Sequence, residues 1–177
     1  MRTRNQVIGL VAWLVLATDF PPASAQQEAC KTLDAQIQLR VATEGCLSPM
    51  KFCTTGEIVS PTGFLNGATW AFTGLATAPS AGLPESTEPP GTLSYAGRVQ
   101  ITAPNGTLTT SDVGVFDPKA GALSQLDRIV GGQMDEARMM GGAERFGRAT
   151  GVLFVTATGS VNTGFQARVR GQVCLTN

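Results

Sequence analysis

The sequence predicts an all-β chain: an eight-stranded antiparallel up-and-down β-barrel, stapled by disulfides. Three observations carry this expectation. Alternating apolar and polar residues recur in short runs separated by Gly, Pro, Asn and Ser, the period of strands rather than of helices. Asn105-Gly106 stands between two such runs, the strongest short-range signal for a two-residue hairpin turn. Four cysteines, Cys30, Cys46, Cys53 and Cys174, fall near the ends of predicted strands.

Taken in order, the first strand is Asp34 to Ala42, where Ile37, Leu39 and Val41 alternate with Gln36, Gln38 and Arg40. Phe52 to Ser60 and Phe64 to Ala76 follow. The segment Ala78 to Gly91 contains Pro79, Pro84, Pro89 and Pro90 and reads as a loop over one end, because proline cannot join the ladder. Thr92 to Ala103 and Thr107 to Phe116 form the hairpin, then comes Ala122 to Val130. Thr150 to Gly159 breaks the alternation: Val152, Leu153, Phe154 and Val155 are apolar on both faces, so the strand is expected to be covered outside, most simply by a second subunit. The last strand is Gly164 to Thr176, in which Phe165, Ala167, Val169, Val173 and Leu175 alternate with Gln166, Arg168, Arg170 and Gln172.

Residues 1–25 read as a signal peptide: Arg2 and Arg4 precede an apolar run from Val7 to Ala17, and Ala23-Ser24-Ala25 offers small residues for cleavage. Residues 26–177 then form a single barrel domain, secreted or periplasmic. At ~1.5 Å per residue the run is too short to span a ~30 Å hydrocarbon core. Removing Arg2, Arg4 and Asp19 from a chain with 13 basic and 13 acidic residues leaves a charge of −1, with no stripe for nucleic acid and no charged block for a membrane surface. An even cysteine count in an exported chain reads as disulfides. Three connectivities are open to four cysteines; a barrel with an even number of strands brings the start of the first and the end of the last to one rim, which places Cys30 beside Cys174 and Cys46 and Cys53 at the other, so these are the expected bridges. A zinc site is disfavoured by the spacing of Cys46 and Cys53.

Pairing Pro104 with Thr107 across the Asn-Gly turn sets Ile101 opposite Thr110, Val99 opposite Asp112, Gly97 opposite Gly114 and Tyr95 opposite Phe116, all on one face. Arg98, Gln100, Thr102, Thr109, Ser111 and Asp117 take the other. The first face is therefore the inner one. The candidate ligand-binding set is Tyr95, Val99, Ile101, Asp112 and Phe116, with Asp112 and Tyr95 the best catalytic candidates. A carboxyl on an apolar inner face has a raised pKa and serves as acid or base; the plainer alternative is a structural Asp bonded to backbone or to an arginine. Asp112 and Asp117 lie an odd number apart and cannot form a dyad. Arg40, Arg98, Arg168 and Arg170 fall on the outer face, where solvated charge is the default. Asn105-Gly106-Thr107 has the form of a glycosylation sequon, but its turn role explains it.

The run GGAERFGRATG, Gly141 to Gly151, followed by VLFVTAT, resembles the GG-x-G-x-F-x-G-A-x-G turn that enters a strand in the allene oxide cyclase and dirigent-like barrels. The match rests on Gly141, Gly142, Phe146, Ala149 and Gly151, while Glu144 and Arg148 stand where the pattern has glycine. Asp112 to Asp117 (DVGVFD) and Ile129-Val130-Gly131-Gly132 are also similar to that group, so the resemblance covers the last half of the mature chain. It implies the barrel; the motif is structural and shared by members of unlike activity, and no catalytic residue is carried over. Gln133 to Met140, between two Gly-Gly pairs, reads as an insertion of mainly helix formers, either a short helical lid or a solvated surface insertion.

The chain has no histidine, which removes the usual general base, the Ser-His-Asp arrangement and the commonest metal ligand. Oxidised cysteines supply no thiolate nucleophile, and no phosphate loop, dinucleotide fingerprint or EF-hand spacing is present. No cofactor or metal is expected. Three functional readings follow: a barrel binding a small apolar molecule in its lumen, a cofactor-independent cyclase or isomerase using the cavity, and a structural or assembly domain with a filled barrel. A membrane barrel is disfavoured for want of aromatic girdles. A homo-oligomer is the expected state.

Overall fold

The computed structural model describes residues 29–80, 91–104, 106–135 and 146–176. The leader (1–25), most of the proline-rich segment and positions 136–145 lie outside the described residues, as does the side chain of Phe146. Eight strands run in chain order: β1 Ala29–Val41, β2 Cys53–Val59, β3 Thr69–Pro79, β4 Leu93–Ala103, β5 Gly106–Asp117, β6 Ala122–Asp135, β7 Phe146–Ser160 and β8 Gly164–Thr176. Each pairs antiparallel with the next, and β1 closes the barrel on β8. Closure leaves the sheet with no free edge.

Register along the seam puts Cys30 opposite Cys174, which form one disulfide; Cys46 and Cys53 form the other, at the opposite rim. Both disulfides belong to an oxidising, extracellular type of environment. The outer face of the same seam carries Asp34, which accepts two hydrogen bonds from Arg168 at 2.9 and 2.8 Å and lies 3.6 Å from Arg170. Arg168 and Arg170 are thus engaged with a carboxylate on the outside of the barrel.

The alternation puts Leu33, Ala35, Ile37 and Leu39 of β1 inside, with Trp70 and Phe72 of β3, Val99 and Ile101 of β4, Leu153, Val155 and Ala157 of β7, and Phe165, Ala167, Val169 and Val173 of β8. These belong to one apolar core cluster on the inner face of the barrel. Two aromatic rings press closely on glycines. A Cβ on Gly97 would meet the Phe72 ring at 2.3 Å, and one on Gly114 would meet the Tyr95 ring at 2.3 Å. Glycine is required at both positions by this close approach.

Three local expectations are corrected. The hairpin pairs Ala103 with Gly106 and Ile101 with Leu108, so its two-residue connection is 104–105 and every predicted pair is offset by two. Pro104 has no N–H for the ladder, so the pairing ends at Ala103. An even offset leaves the faces unchanged, and Tyr95, Val99, Ile101, Asp112 and Phe116 remain inward. Residues 64–68 form turns instead of the start of a strand: Gly67 N–H donates to Ile58 O at 2.8 Å, Ala68 N–H to Leu65 O at 3.0 Å, and the Asn66 side chain accepts from Ser60 N–H at 2.9 Å. Leu65 sits there at φ 59°, a conformation the alternation pattern does not register. Finally, Gln133, Met134 and Asp135 do not begin a helix but extend β6, paired with Arg148, Gly147 and Phe146. Cross-strand hydrogen bonding outweighs their helix propensity.

Candidate functional site

Strands β5 and β6 break the polarity of the rest of the barrel. Their turn, Asp117-Pro118-Lys119-Ala120-Gly121, is closed by the Asp117 carboxylate, which accepts from Lys119 N–H at 2.9 Å and Ala120 N–H at 3.1 Å, and Gly121 takes φ 62°. This turn sets Asp117 opposite Ala122 and therefore Gly114 opposite Gln125 and Asp112 opposite Asp127. Among the inward residues Thr110, Asp112, Gln125 and Asp127 are polar and buried, while Val113, Val115, Leu126 and Val130 face out. Asp112 is 1 % exposed and Asp127 is 0 % exposed.

These groups form one polar chain inside an apolar barrel. Tyr95 Oη–H donates to Gln125 Oε1 at 2.7 Å, reaching across β5 over Gly114. Gln125 Nε2–H donates to Asp127 Oδ1. Thr110 Oγ1 accepts from Val99 N–H at 3.1 Å, so its own proton goes to Asp112 Oδ1. The two Oδ2 atoms are buried with no other partner among the described residues. A buried, unsatisfied carboxylate is costly, and two adjacent ones more so, which pushes both groups toward their protonated forms.

Acidities follow from this geometry. Burial, then the charge and hydrogen bond of Asp112, push Asp127 up to about 9, against which the Gln125 amide works weakly. Burial also raises Asp112, offset by hydrogen bonds from Asp127 and Thr110 and by the Arg98 charge. Tyr95 is pushed well above its ordinary range, first by burial and then by Asp127 and Asp112. It therefore remains a hydrogen-bond donor. Asp127 is thus held in its protonated form around neutral pH, beside a second carboxyl whose pKa is also raised.

The predicted site residues separate into two levels. Val99 and Ile101 are fully enclosed in the core, so the lumen at their level is packed. Tyr95 and Phe116 are half-buried at the rim of the Cys46–Cys53 disulfide. With them at that rim stand Val41, Phe52 and Leu123, also half-buried. Their rings interlock edge to face: Phe52 with Phe72 at 6.1 Å, Phe72 with Tyr95 at 5.8 Å and Phe116 with Phe165 at 5.7 Å. The loop behind them is tied down by Ser48, whose hydroxyl donates to Gly74 O and accepts from Met50 N–H. Asp112 lies below this mouth, not alone but paired with Asp127. Reading β6 as one more amphipathic strand overlooks Asp127 and Gln125; the Asp-Pro-x-x-Gly turn, which sets the β5–β6 register, is the signal that finds them.

On the outside, Val152 and Phe154 of β7 are half-exposed, as are Val113 and Leu126 beside them. Phe154, Val113 and Leu126, with Ala76 and Ala96, line a shallow apolar groove of about 560 Å³. Among the described residues no group of His, Cys, Asp and Glu is arranged to hold a metal. No protein-family model, curated protein or solved structure matches the chain.

Proposed function

We propose that this is an exported barrel, secreted or periplasmic, that binds a small apolar molecule at the rim closed by Cys46–Cys53. The observation that carries the reading is the ring of half-buried Val41, Phe52, Tyr95, Phe116 and Leu123 set directly over the Tyr95–Gln125–Asp127–Asp112 chain. An apolar wall with a few convergent polar groups is the ordinary make-up of a ligand site. Because Val99 and Ile101 are packed solid, the ligand sits in the mouth and not deep in the lumen. The leader pattern and the two disulfides support export. Kinship with the allene oxide cyclase and dirigent-like barrels belongs to the same proposal, supported by the Gly141–Gly151 motif and the strand number.

The carboxyl pair favours a second reading, a cofactor-independent cyclase or isomerase. Asp112 would accept a proton from the substrate while Asp127 returns one at another position, leaving the pair with its original proton count. Turnover requires Tyr95 to leave its seat on Gly114 so that the pair becomes reachable. Titration of the mature protein with the uncharged fluorophore N-phenyl-1-naphthylamine tests binding. Saturable binding weakened about tenfold by Phe116→Ala, a loss of about 1.4 kcal/mol, supports the mouth. Absence of saturation leaves a filled barrel with a structural or assembly role. Asp112→Asn separates the first two readings, since it abolishes turnover in an enzyme and leaves a binder's affinity within a few-fold.

A further inference from the structure

Leu47 is 93 % exposed, more than any other large apolar side chain among the described residues. It sits in the connection between β1 and β2, directly after Cys46, inside the ring closed by the Cys46–Cys53 disulfide across a separation of 7. A single exposed leucine is ordinary on a protein surface. The loop that presents this one is held from both sides.

The chain bends at Glu44 and Gly45, where Gly45 takes φ 69°, and turns again at Pro49 and Met50; Cys46, Leu47 and Ser48 between them run without turn or bend. Pro49 keeps Ser48 out of the helical region, which favours the same extended course. Behind the loop Ser48 is 6 % exposed, and its hydroxyl donates to Gly74 O and accepts from Met50 N–H at 3.1 Å. The Ser48 carbonyl accepts from Lys51 N–H at 2.9 Å, and Gly74 N–H donates to Phe52 O at 3.0 Å. A Cβ on Gly74 would meet Met50 Sδ at 3.3 Å, so the Met50 side chain rests on β3 at the same point. The disulfide thus ties down one side of Leu47 and Ser48 the other, while the N–H and C=O of Leu47 have no hydrogen bond among the described residues.

An exposed side chain on an extended, pre-shaped segment with free backbone groups suits the substrate cleft of an endopeptidase, where the side chain fills the primary pocket and the backbone pairs as an added strand. We propose that this loop inhibits serine endopeptidases with an apolar primary pocket, Leu47 entering the pocket and the Leu47–Ser48 peptide bond lying at the catalytic serine. Attack of the serine Oγ on the Leu47 carbonyl forms an ester and breaks the C–N bond, and the proton taken from the serine passes to the departing Ser48 nitrogen. In a free peptide that amine leaves and water hydrolyses the ester. Here Cys46 holds the acyl side through the disulfide and Ser48, bonded to Gly74, holds the amine side, so the amine stays beside the ester and re-forms the peptide. A loop already held in shape also loses less entropy on binding. Leu47 is not part of the aromatic mouth, so inhibition and ligand binding are separate properties.

Hydrolysis of chromogenic peptides by chymotrypsin, subtilisin and trypsin, each titrated with the disulfide-intact mature protein, tests this. The expected result is competitive inhibition of chymotrypsin or subtilisin with a Kd below about 1 μM, and none of trypsin, whose primary pocket carries a carboxylate. Leu47→Asp weakens it at least about hundredfold and Leu47→Arg transfers it to trypsin, whereas Val59→Asp, at an exposed apolar position of β2, leaves it unchanged. Cys46→Ser/Cys53→Ser is cut at the loop faster than the wild type, and mass spectrometry locates the cut. Thermal unfolding of each variant shows that the barrel is retained. No inhibition of either apolar-pocket enzyme, equal inhibition by Leu47→Asp, or prompt and complete cleavage of the wild-type Leu47–Ser48 bond would each overturn the proposal.

Discussion

Asp112 and Asp127 are direct cross-strand partners, buried side by side on the inner face of β5 and β6, and burial raises the pKa of both. The pair is flanked by Gly97, over which Phe72 lies, and is roofed by Tyr95 bonded to Gln125. Such a unit ties the barrel's stability to pH.

Asp127→Asn flattens the alkaline loss of stability. The folded chain holds the Asp127 proton up to about pH 9, whereas the unfolded chain releases it near the ordinary carboxyl value. The stabilisation from the raised pKa is thus complete below about pH 4 and is lost progressively as pH rises toward 9, at up to about 1.4 kcal/mol per pH unit. Urea denaturation between those limits is expected to show a smaller slope for Asp127→Asn than for the wild type; identical slopes would show that the pair holds no extra proton.

Gly114→Ala evicts Tyr95. The new methyl would lie 2.3 Å from the ring, which must leave and break its bond to Gln125. A cost of about 1–3 kcal/mol is expected from overpacking, against about 1 kcal/mol for Tyr95→Phe, which removes only the hydroxyl. Denaturant midpoints of the two variants give the comparison, and a larger loss in Tyr95→Phe would contradict the packing argument.

The two disulfides differ in leverage. Cys30–Cys174 closes a loop of 144 residues and Cys46–Cys53 one of 7. Chain entropy assigns them about 5 and about 2.4 kcal/mol as upper estimates, so the Cys30→Ser/Cys174→Ser protein unfolds at lower denaturant than Cys46→Ser/Cys53→Ser. The reverse order would place the stabilisation in the Ser48 loop contacts.

Phe154→Glu and Leu126→Glu test self-association. These side chains are 49 % and 46 % exposed in the single chain and adjoin each other across β6 and β7. Native mass spectrometry is expected to show an oligomer for the wild type and a monomer for both variants. A wild-type monomer ends the proposal of a homo-oligomer.

The hairpin and the carboxyl pair show how far the sequence reads. The faces of β4 and β5 were legible because a side chain's face depends only on parity, so the offset of two caused by Pro104 moved partners without turning any residue outward. The pairing of Cys30 with Cys174 was legible because strand number alone decides which ends share a rim. Asp127 was less so. Its strand mixes Leu126 and Val130 with Ser124 and Arg128 outward and Gln125 and Asp127 with Ile129 inward, and the register that sets it against Asp112 comes from the Asp117 turn.

The sequence by itself determined the eight-stranded barrel and the inward faces of β1, β4, β5 and β8, since these follow from period and parity, and it made Cys30–Cys174 the expected bridge among three possible connectivities. Only the tertiary structure decided that the lumen is packed at Val99 and Ile101, that Tyr95 crosses Gly114 to reach Gln125, and that Asp112 meets Asp127. Those are distances between residues remote in the chain. They are set by ring volumes, glycine gaps and bulges acting together, which no local pattern encodes.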